Sequence, residues 1–269
     1  MSSLRPVLSM PWIPSTFERV ILVSPHMDDA ILSCGGLLKQ LIGQLDCLTV
    51  TVCTADPADV DTQNPPHGIA LPSLRRNEEV AALAALGCPL VQLDLLDAIY
   101  RTDAARGLPI YPTMQSIWTM PQPQDEPHRQ ALRNRLLTLA GQASNRPTLF
   151  LSPLGIGHHI DHILCTQVVL SIADARDQVL LYEDFPYVVD QGSHVGIADD
   201  AQKALRRLGV GGVQRFEQEC DVDEKIAWIS HYESQIDSIF GNHDNVRPML
   251  LKNSRHGHTL ERFWQIQKN

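Results

Sequence analysis

The 269-residue chain carries 22 Lys plus Arg against 31 Asp plus Glu, a formal charge of −9, with 43% apolar, 20% charged and 6% aromatic residues. That mix can bury a sizeable globular core, and its acidic balance excludes docking on a nucleic-acid backbone or an anionic leaflet, both of which need a basic stripe. No apolar run approaches the ~20 residues of a membrane span, and the start MSSLRPVLSMPWIPSTFERV lacks the unbroken apolar core of a secretory leader, so a soluble, cytoplasmic protein is expected.

In chain order, residues 19–24 (RVILVS) are a β-branched run read as a first strand, and 28–41 carry apolar residues at helical spacing. A second strand follows at 48–53, a helix at 76–86 stopped by Gly87, and a third strand at 90–95. Residues 127–143 read as a helix, 148–152 as a fourth strand, 159–173 as a helix and 178–182 as a fifth strand. Strands alternating with helices of this length imply βαβ units, hence an α/β, Rossmann-like, mostly parallel sheet with helices on both faces. Beyond the irregular stretch 184–198 come a helix to Leu208, a short strand near 213–219 and a helix over 222–240. With no internal repeat or low-complexity linker, one domain over residues 1–269 is expected, its core at about 18–183 and a C-terminal α+β cap at about 184–269.

Six cysteines, none in a C-x-x-C pair and most inside apolar runs, read as buried thiols in a reducing compartment. Two long irregular stretches, 56–72 and 99–126, interrupt the pattern, and the second carries Tyr100, Tyr111 and Trp118 among its prolines. Such segments in a compact domain are commonly lids or binding loops. The 99–126 loop follows the third strand, and Trp118 is its candidate for facing a substrate.

The first strand runs directly into Ser24-Pro25-His26-Met27-Asp28-Asp29, and the fourth into a segment ending His158-His159-Ile160-Asp161-His162. Ligands of open parallel sheets bind outside the carboxyl ends of the strands, so both His/Asp groups stand at the expected edge. Imidazole and carboxylate suit Zn²⁺ or a similar divalent ion, and a catalytic site needs about three such ligands plus an open position. Either aspartate alone reads as a helix N-terminal acid. Their joint occurrence with histidines at two strand ends favours a metal site. Gly35-Gly36 reads as close packing, because no phosphate-loop pattern accompanies it.

PHMDD after strand one and HIDH after a later strand resemble the paired motifs of the PIG-L / LmbE-like zinc deacetylases, [AP]-H-x-D-D and H-x-D-H. Arg76-Asn77-Glu78-Glu79 with Ala82 and Leu86-Gly87 is similar to that family's R-x-x-E…A…LG helix, and Lys225 with Tyr232-Glu233-Ser234-Gln235 to its C-terminal helix. The resemblance spans about residues 18–240. It implies a zinc-dependent amidohydrolase that removes the N-acetyl group of an N-acetylglucosamine-type amino sugar within a larger conjugate. It further implies His26, Asp29 and His162 as metal ligands for Zn²⁺, a set that Fe²⁺ also suits. Asp28 would be the general base, and His159 an imidazolium that stabilises the oxyanion or protonates the leaving amine. Asp161 would be the acid orienting His159, with Arg76 and Asp97 holding sugar hydroxyls. The expected partner is the small-molecule conjugate, with no nucleic acid and no membrane span, and a homo-oligomer is compatible with the chain.

Two positions depart from the family's pattern. Many relatives carry Glu where this chain has Ala30, and some carry Tyr where it has Gly157. Oxyanion stabilisation would then rest on His159 alone, or borrow His158 or a loop residue. The rival readings are hydrolysis of another N-acyl or amide bond on the same metal, and a sugar-binding protein without turnover.

Overall fold

The structure, a computed structural model, describes residues 13, 16–58, 69–141, 146–190 and 198–267. It runs β1 (Arg19–Ser24), α1 (Asp29–Leu41), β2 (Asp46–Cys53), α2 (Pro72–Leu86), β3 (Leu90–Leu95), and a small hairpin of β4 (Thr102–Asp103) and β5 (Leu108–Pro109). Then come α3 (Glu126–Ala140), β6 (Thr148–Pro153), α4 (Ile160–Ile172), β7 (Gln178–Tyr182), one helical turn α5 (Tyr187–Asp190) and α6 (Ala201–Leu208). The last part holds β8 (Val213–Cys220), α7 (Val222–Ile229), α8 (Glu233–Phe240), α9 (Val246–Leu251), β9 (Ser254–Arg255) and β10 (His258–Ile266). Among the described residues no helix is long and apolar enough to cross a membrane.

The main sheet has the order β3-β2-β1-β6-β7-β10-β8. The strands from β3 to β7 pair in parallel, while β10 runs antiparallel to both β7 and β8. Because side chains alternate along a strand, β1 splits its apolar residues between two cores. Val20 and Leu22 join α1, α2 and α7–α9 on one face, and Ile21 and Val23 join α3, α4 and α6 on the other. A strand covered on both sides needs a continuous apolar run, and RVILVS is one. The expected α/β fold with helices on both faces is what forms.

Several boundaries and one region differ from the sequence reading. Helix α2 begins at Pro72 rather than residue 76, since proline at the first helical position forfeits no intrahelical hydrogen bond. The helix expected over 222–240 breaks at Ser230–Tyr232 into α7 and α8. The break turns Ser234 onto Glu78 of α2, whose carboxylate accepts from its N–H and its Oγ–H at 2.7 Å each, satisfying a donor left open at the start of α8. The C-terminal region supplies helices, as expected of an α+β cap, but β8 and β10 also extend the main sheet. The long strand β10 was not anticipated. It rests on pairing with β7, about eighty residues earlier, and on a buried Glu261 that receives Lys225 Nζ at 2.7 Å and the N–H groups of Gly36 and Leu37 at 2.8 and 2.9 Å. A Cβ at Gly36 would lie 2.5 Å from Cβ of Cys220, so the glycine does serve close packing.

Candidate active site

The carboxyl ends of β1, β3, β6 and β7 lie along one edge of the sheet. The chain builds outward from β1 through β2 to β3, then returns to place β6 on the other side of β1. The crevice at that reversal is where open α/β sheets bind ligands. β1 delivers His26, Asp28 and Asp29, the segment after β3 delivers Asp97, β6 leads through a glycine turn to His159, Asp161 and His162, and β7 leads to Asp184. The first turn is fixed by Ser24, whose hydroxyl donates to the His26 carbonyl at 2.6 Å and accepts from the Ala30 N–H at 3.0 Å. In turn the His26 N–H donates to Asp29 Oδ2 at 2.8 Å.

Asp29 Oδ2 is the meeting point of the cluster, 3.2 Å from His26 Nδ1 and 3.4 Å from His162 Nε2. Ligand atoms at the corners of a tetrahedron with bonds of ~2.0–2.1 Å stand about 3.3–3.4 Å apart, close to the spacing of Asp29 Oδ2 from each of these two ring nitrogens. His162 Nε2 is buried with no hydrogen-bond partner, an arrangement that costs ~1–3 kcal/mol unless something accepts the lone pair. On its other side His162 Nδ1 lies 2.7 Å from Asp184 Oδ1, which places the proton on Nδ1 and turns the Nε2 lone pair toward Asp29. Ring nitrogens of His26, His159 and His162 also lie within 4.8 Å of one another. Burial works to raise the Asp29 carboxyl, but the imidazoles of His162 and His26 outweigh it and hold it well below the usual range. Burial likewise opposes charge on His26, and Asp97, Asp161 and Asp29 reverse that and raise it.

Asp28 stands one residue before Asp29, with the Arg75 guanidinium 3.4 Å from its carboxylate. His159 is the N-cap of α4, and its Nδ1 accepts from the Asp161 N–H at 3.2 Å. That leaves the ring proton on Nε2. Burial, with His26 adding to it, lowers His159 to about 3, a direction that disfavours the expected imidazolium. The contact orienting it is the backbone of Asp161. The Asp161 carboxylate instead accepts from Arg101 at 2.5 Å and from the Ala98 N–H at 3.0 Å, and lies 3.4 Å from His26 Nε2.

A cavity of about 550 Å³ opens above these groups. His26, Asp28, Asp29, Asp97, His159 and Trp118 of the anticipated residues line it, while Asp161 and His162 sit beneath as buried groups. Asp97 Oδ2 lies 3.3 Å from His26 Nε2, so it serves the cluster directly. The 99–126 loop contributes Ile99, Met114, Ile117 and Trp118 to the wall, with the Trp118 ring 4.9 Å from that of His159. Tyr111 does not reach the cavity, because its hydroxyl is held by Asp125 beneath the loop. Arg76 does not line it either. Its guanidinium turns to the Thr54 carbonyl at 2.5 Å and Asp56 at 2.6 Å, and Arg75 takes the inward place. The helical spacing of Arg75, Glu78, Ala82 and Leu86, one buried face of α2, is the signal that identifies Arg75. Asp184, Arg101 and Tyr187 were also missed, and two histidines of the irregular stretches that are candidates for the cleft by residue type, His67 and His194, lie outside the described residues.

Residues 21–173 match the family model described as PIG-L, GlcNAc-PI de-N-acetylase. The chain belongs to the PIG-L family. A 2'-N-acetylparomamine deacetylase of Niallia circulans is 30% identical over 190 residues, which make up 62% of this chain and 66% of that protein, just under two thirds of its length. One of the same description from Streptomyces fradiae is 27% identical over 221 residues, 81% of this chain and 74% of the relative. The fold matches the crystal structure of the zinc-inhibited form of teicoplanin deacetylase with a TM-score of 0.69 at 23% identity, covering 93% of this chain and 98% of the other. The PIG-L match runs from β1 through α4 and includes both His/Asp groups. It stops short of Asp184 and Tyr187.

Proposed function

We propose that this protein is a divalent-metal-dependent N-deacetylase that hydrolyses the N-acetyl group of an N-acetylglucosamine-type amino sugar in a larger conjugate, releasing acetate and the free amine. The observation that carries this reading is the convergence of His26 Nδ1 and His162 Nε2 on Asp29 Oδ2, beside Asp28 and His159 on the wall of one cavity. In it His26, Asp29 and His162 hold the metal, with Zn²⁺ as the expected ion and Fe²⁺ as the other that suits the set. When bound, such an ion makes water more acidic and polarises a carbonyl.

The remaining steps belong to side chains. Asp28 accepts a proton from the attacking water, and Arg75 at 3.4 Å steadies its charge. His159 Nε2–H donates to the amide as negative charge develops on the carbonyl oxygen, a role for which a neutral donor is sufficient. As the C–N bond breaks, the nitrogen takes up the proton that Asp28 accepted from water and leaves as amine, which returns Asp28 to its carboxylate form. Arg101 keeps Asp161 ionised beside His26, and Trp118 gives a sugar ring or aglycone an apolar face. A reducing, cytoplasmic location is supported by six buried cysteines, all of them free thiols.

The test is acetate release from N-acetylparomamine, an N-acetylglucosaminyl glycopeptide and bulkier N-acyl sugars, with metal-loaded and chelator-stripped protein. Turnover of N-acetyl substrates by the loaded form, lost on chelation and restored by Zn²⁺ or Fe²⁺, is expected. No acetate from any N-acetyl sugar overturns the reading, and preference for bulkier acyl groups replaces it with a broader amidase.

A further inference from the structure

Gly157 lies in the turn between β6 and α4 at φ +87°, and a Cβ placed on it meets Cγ, Cβ and Cδ1 of Tyr187 at 3.1, 3.2 and 3.3 Å. Glycine is suited there both by its backbone freedom and by the lack of space. The volume that a side chain at 157 would occupy is filled from another element, by the first residue of α5. Tyr187 lines the cavity. Its ring centroid stands 5.7 Å from that of His162 and 5.6 Å from that of Trp118, which itself packs edge-on against His159. The other polar side chain of the turn, His158, is directed elsewhere. Its Nε2 lies 2.6 Å from the Arg207 guanidinium and 3.7 Å from Asp199.

We infer that Tyr187 is a further catalytic residue of this hydrolysis, its phenolic O–H donating a hydrogen bond to the amide carbonyl oxygen as that oxygen becomes an oxyanion. The inference rests on the deacetylase reading above. As water oxygen bonds to the carbonyl carbon, the carbonyl π pair moves onto oxygen, and it returns when the C–N bond breaks and nitrogen takes its proton. Tyr187 keeps its own proton throughout. With His159 it forms a two-donor arrangement in which one donor comes from the β6–α4 turn and the other from the segment after β7. A donor aimed at developing charge lowers the barrier without tightening ground-state binding.

The experiment compares the metal-loaded enzyme with its Tyr187→Phe and Tyr187→Leu variants, using N-acetylparomamine and octyl N-acetyl-β-glucosaminide as probes and bound metal as a control. Both variants should lose about 10²–10³-fold in kcat, the worth of one such donor, with KM within about twofold and metal content unchanged. If Phe is near wild type while Leu is impaired, the ring only packs, and the role is overturned. A rise in KM with kcat intact also overturns it, by making Tyr187 a ground-state contact. Absence of acetate release from the unsubstituted enzyme overturns function and role together, whereas wild-type turnover with an unaffected Phe variant overturns the role alone.

Discussion

Asp184 Oδ1 sits 2.7 Å from His162 Nδ1, and both side chains are almost fully removed from solvent. The carboxylate also accepts from the Ile156 N–H at 2.9 Å, so it is itself held in place by the turn that precedes α4. This contact settles which nitrogen of His162 faces Asp29. Partners of this kind contribute about 10–100-fold to metal affinity or activity. Asp184→Asn should therefore weaken zinc binding by about that factor in a competition titration with a chelator. An unchanged affinity would show that His162 needs no orienting partner.

Asp28 is expected to act on protons and not on the metal. Asp28→Asn should retain its metal by elemental analysis and lose ~10²–10⁴-fold in kcat, the usual contribution of a positioned general base. Near-normal kcat in that variant would remove Asp28 from the reaction.

Arg75 and Arg76 are neighbours with different fates. Arg75 is buried against Asp28, whereas Arg76 pairs with half-exposed Asp56. A charged hydrogen bond in a buried site is worth ~1.5–3 kcal/mol, so Arg75→Ala should lower kcat/KM by roughly 10–100-fold. A solvated pair contributes ~0–1 kcal/mol, and Arg76→Ala should stay within about fivefold of the parent. Equal losses in the two variants would restore Arg76 to the substrate site.

Glu79 on α2 gives a stability prediction in pH. Burial pushes its carboxyl up to about 8, against hydrogen bonds from Thr51 and Gln92 that favour the ionised form. Between the ordinary carboxyl range and pH 8 the folded chain keeps a proton that the unfolded chain releases, so this group's contribution to stability falls as pH rises through that window and levels off above it. Glu79→Gln keeps the neutral hydrogen-bonding shape without the titration. Relative to the parent it should gain roughly 2–4 kcal/mol between pH 5 and pH 9 in urea unfolding, since each tenfold difference in proton affinity between the folded and unfolded chain is worth ~1.4 kcal/mol. Parallel pH profiles for the two proteins would contradict this.

The sequence by itself determined the strand–helix alternation of the parallel half and the two His/Asp segments at strand ends. These are local properties: a β-branched run buried on both faces, as in Val20–Val23, reads as a central strand wherever it occurs, and His26-Met27-Asp28-Asp29 directly follows one. Side-chain direction within a helix was less legible, and adjacent arginines were separated only once α2 had a buried face to rank them. What lies far apart in sequence was decided by the tertiary structure alone. Asp184 reaches His162, Tyr187 fills the space above Gly157, and β10 finds β7 because the chain closes long loops whose ends carry no mutual signal in one sequence. Their cost is closure entropy and their return is burial and a satisfied hydrogen bond, terms that exist only between surfaces already brought together.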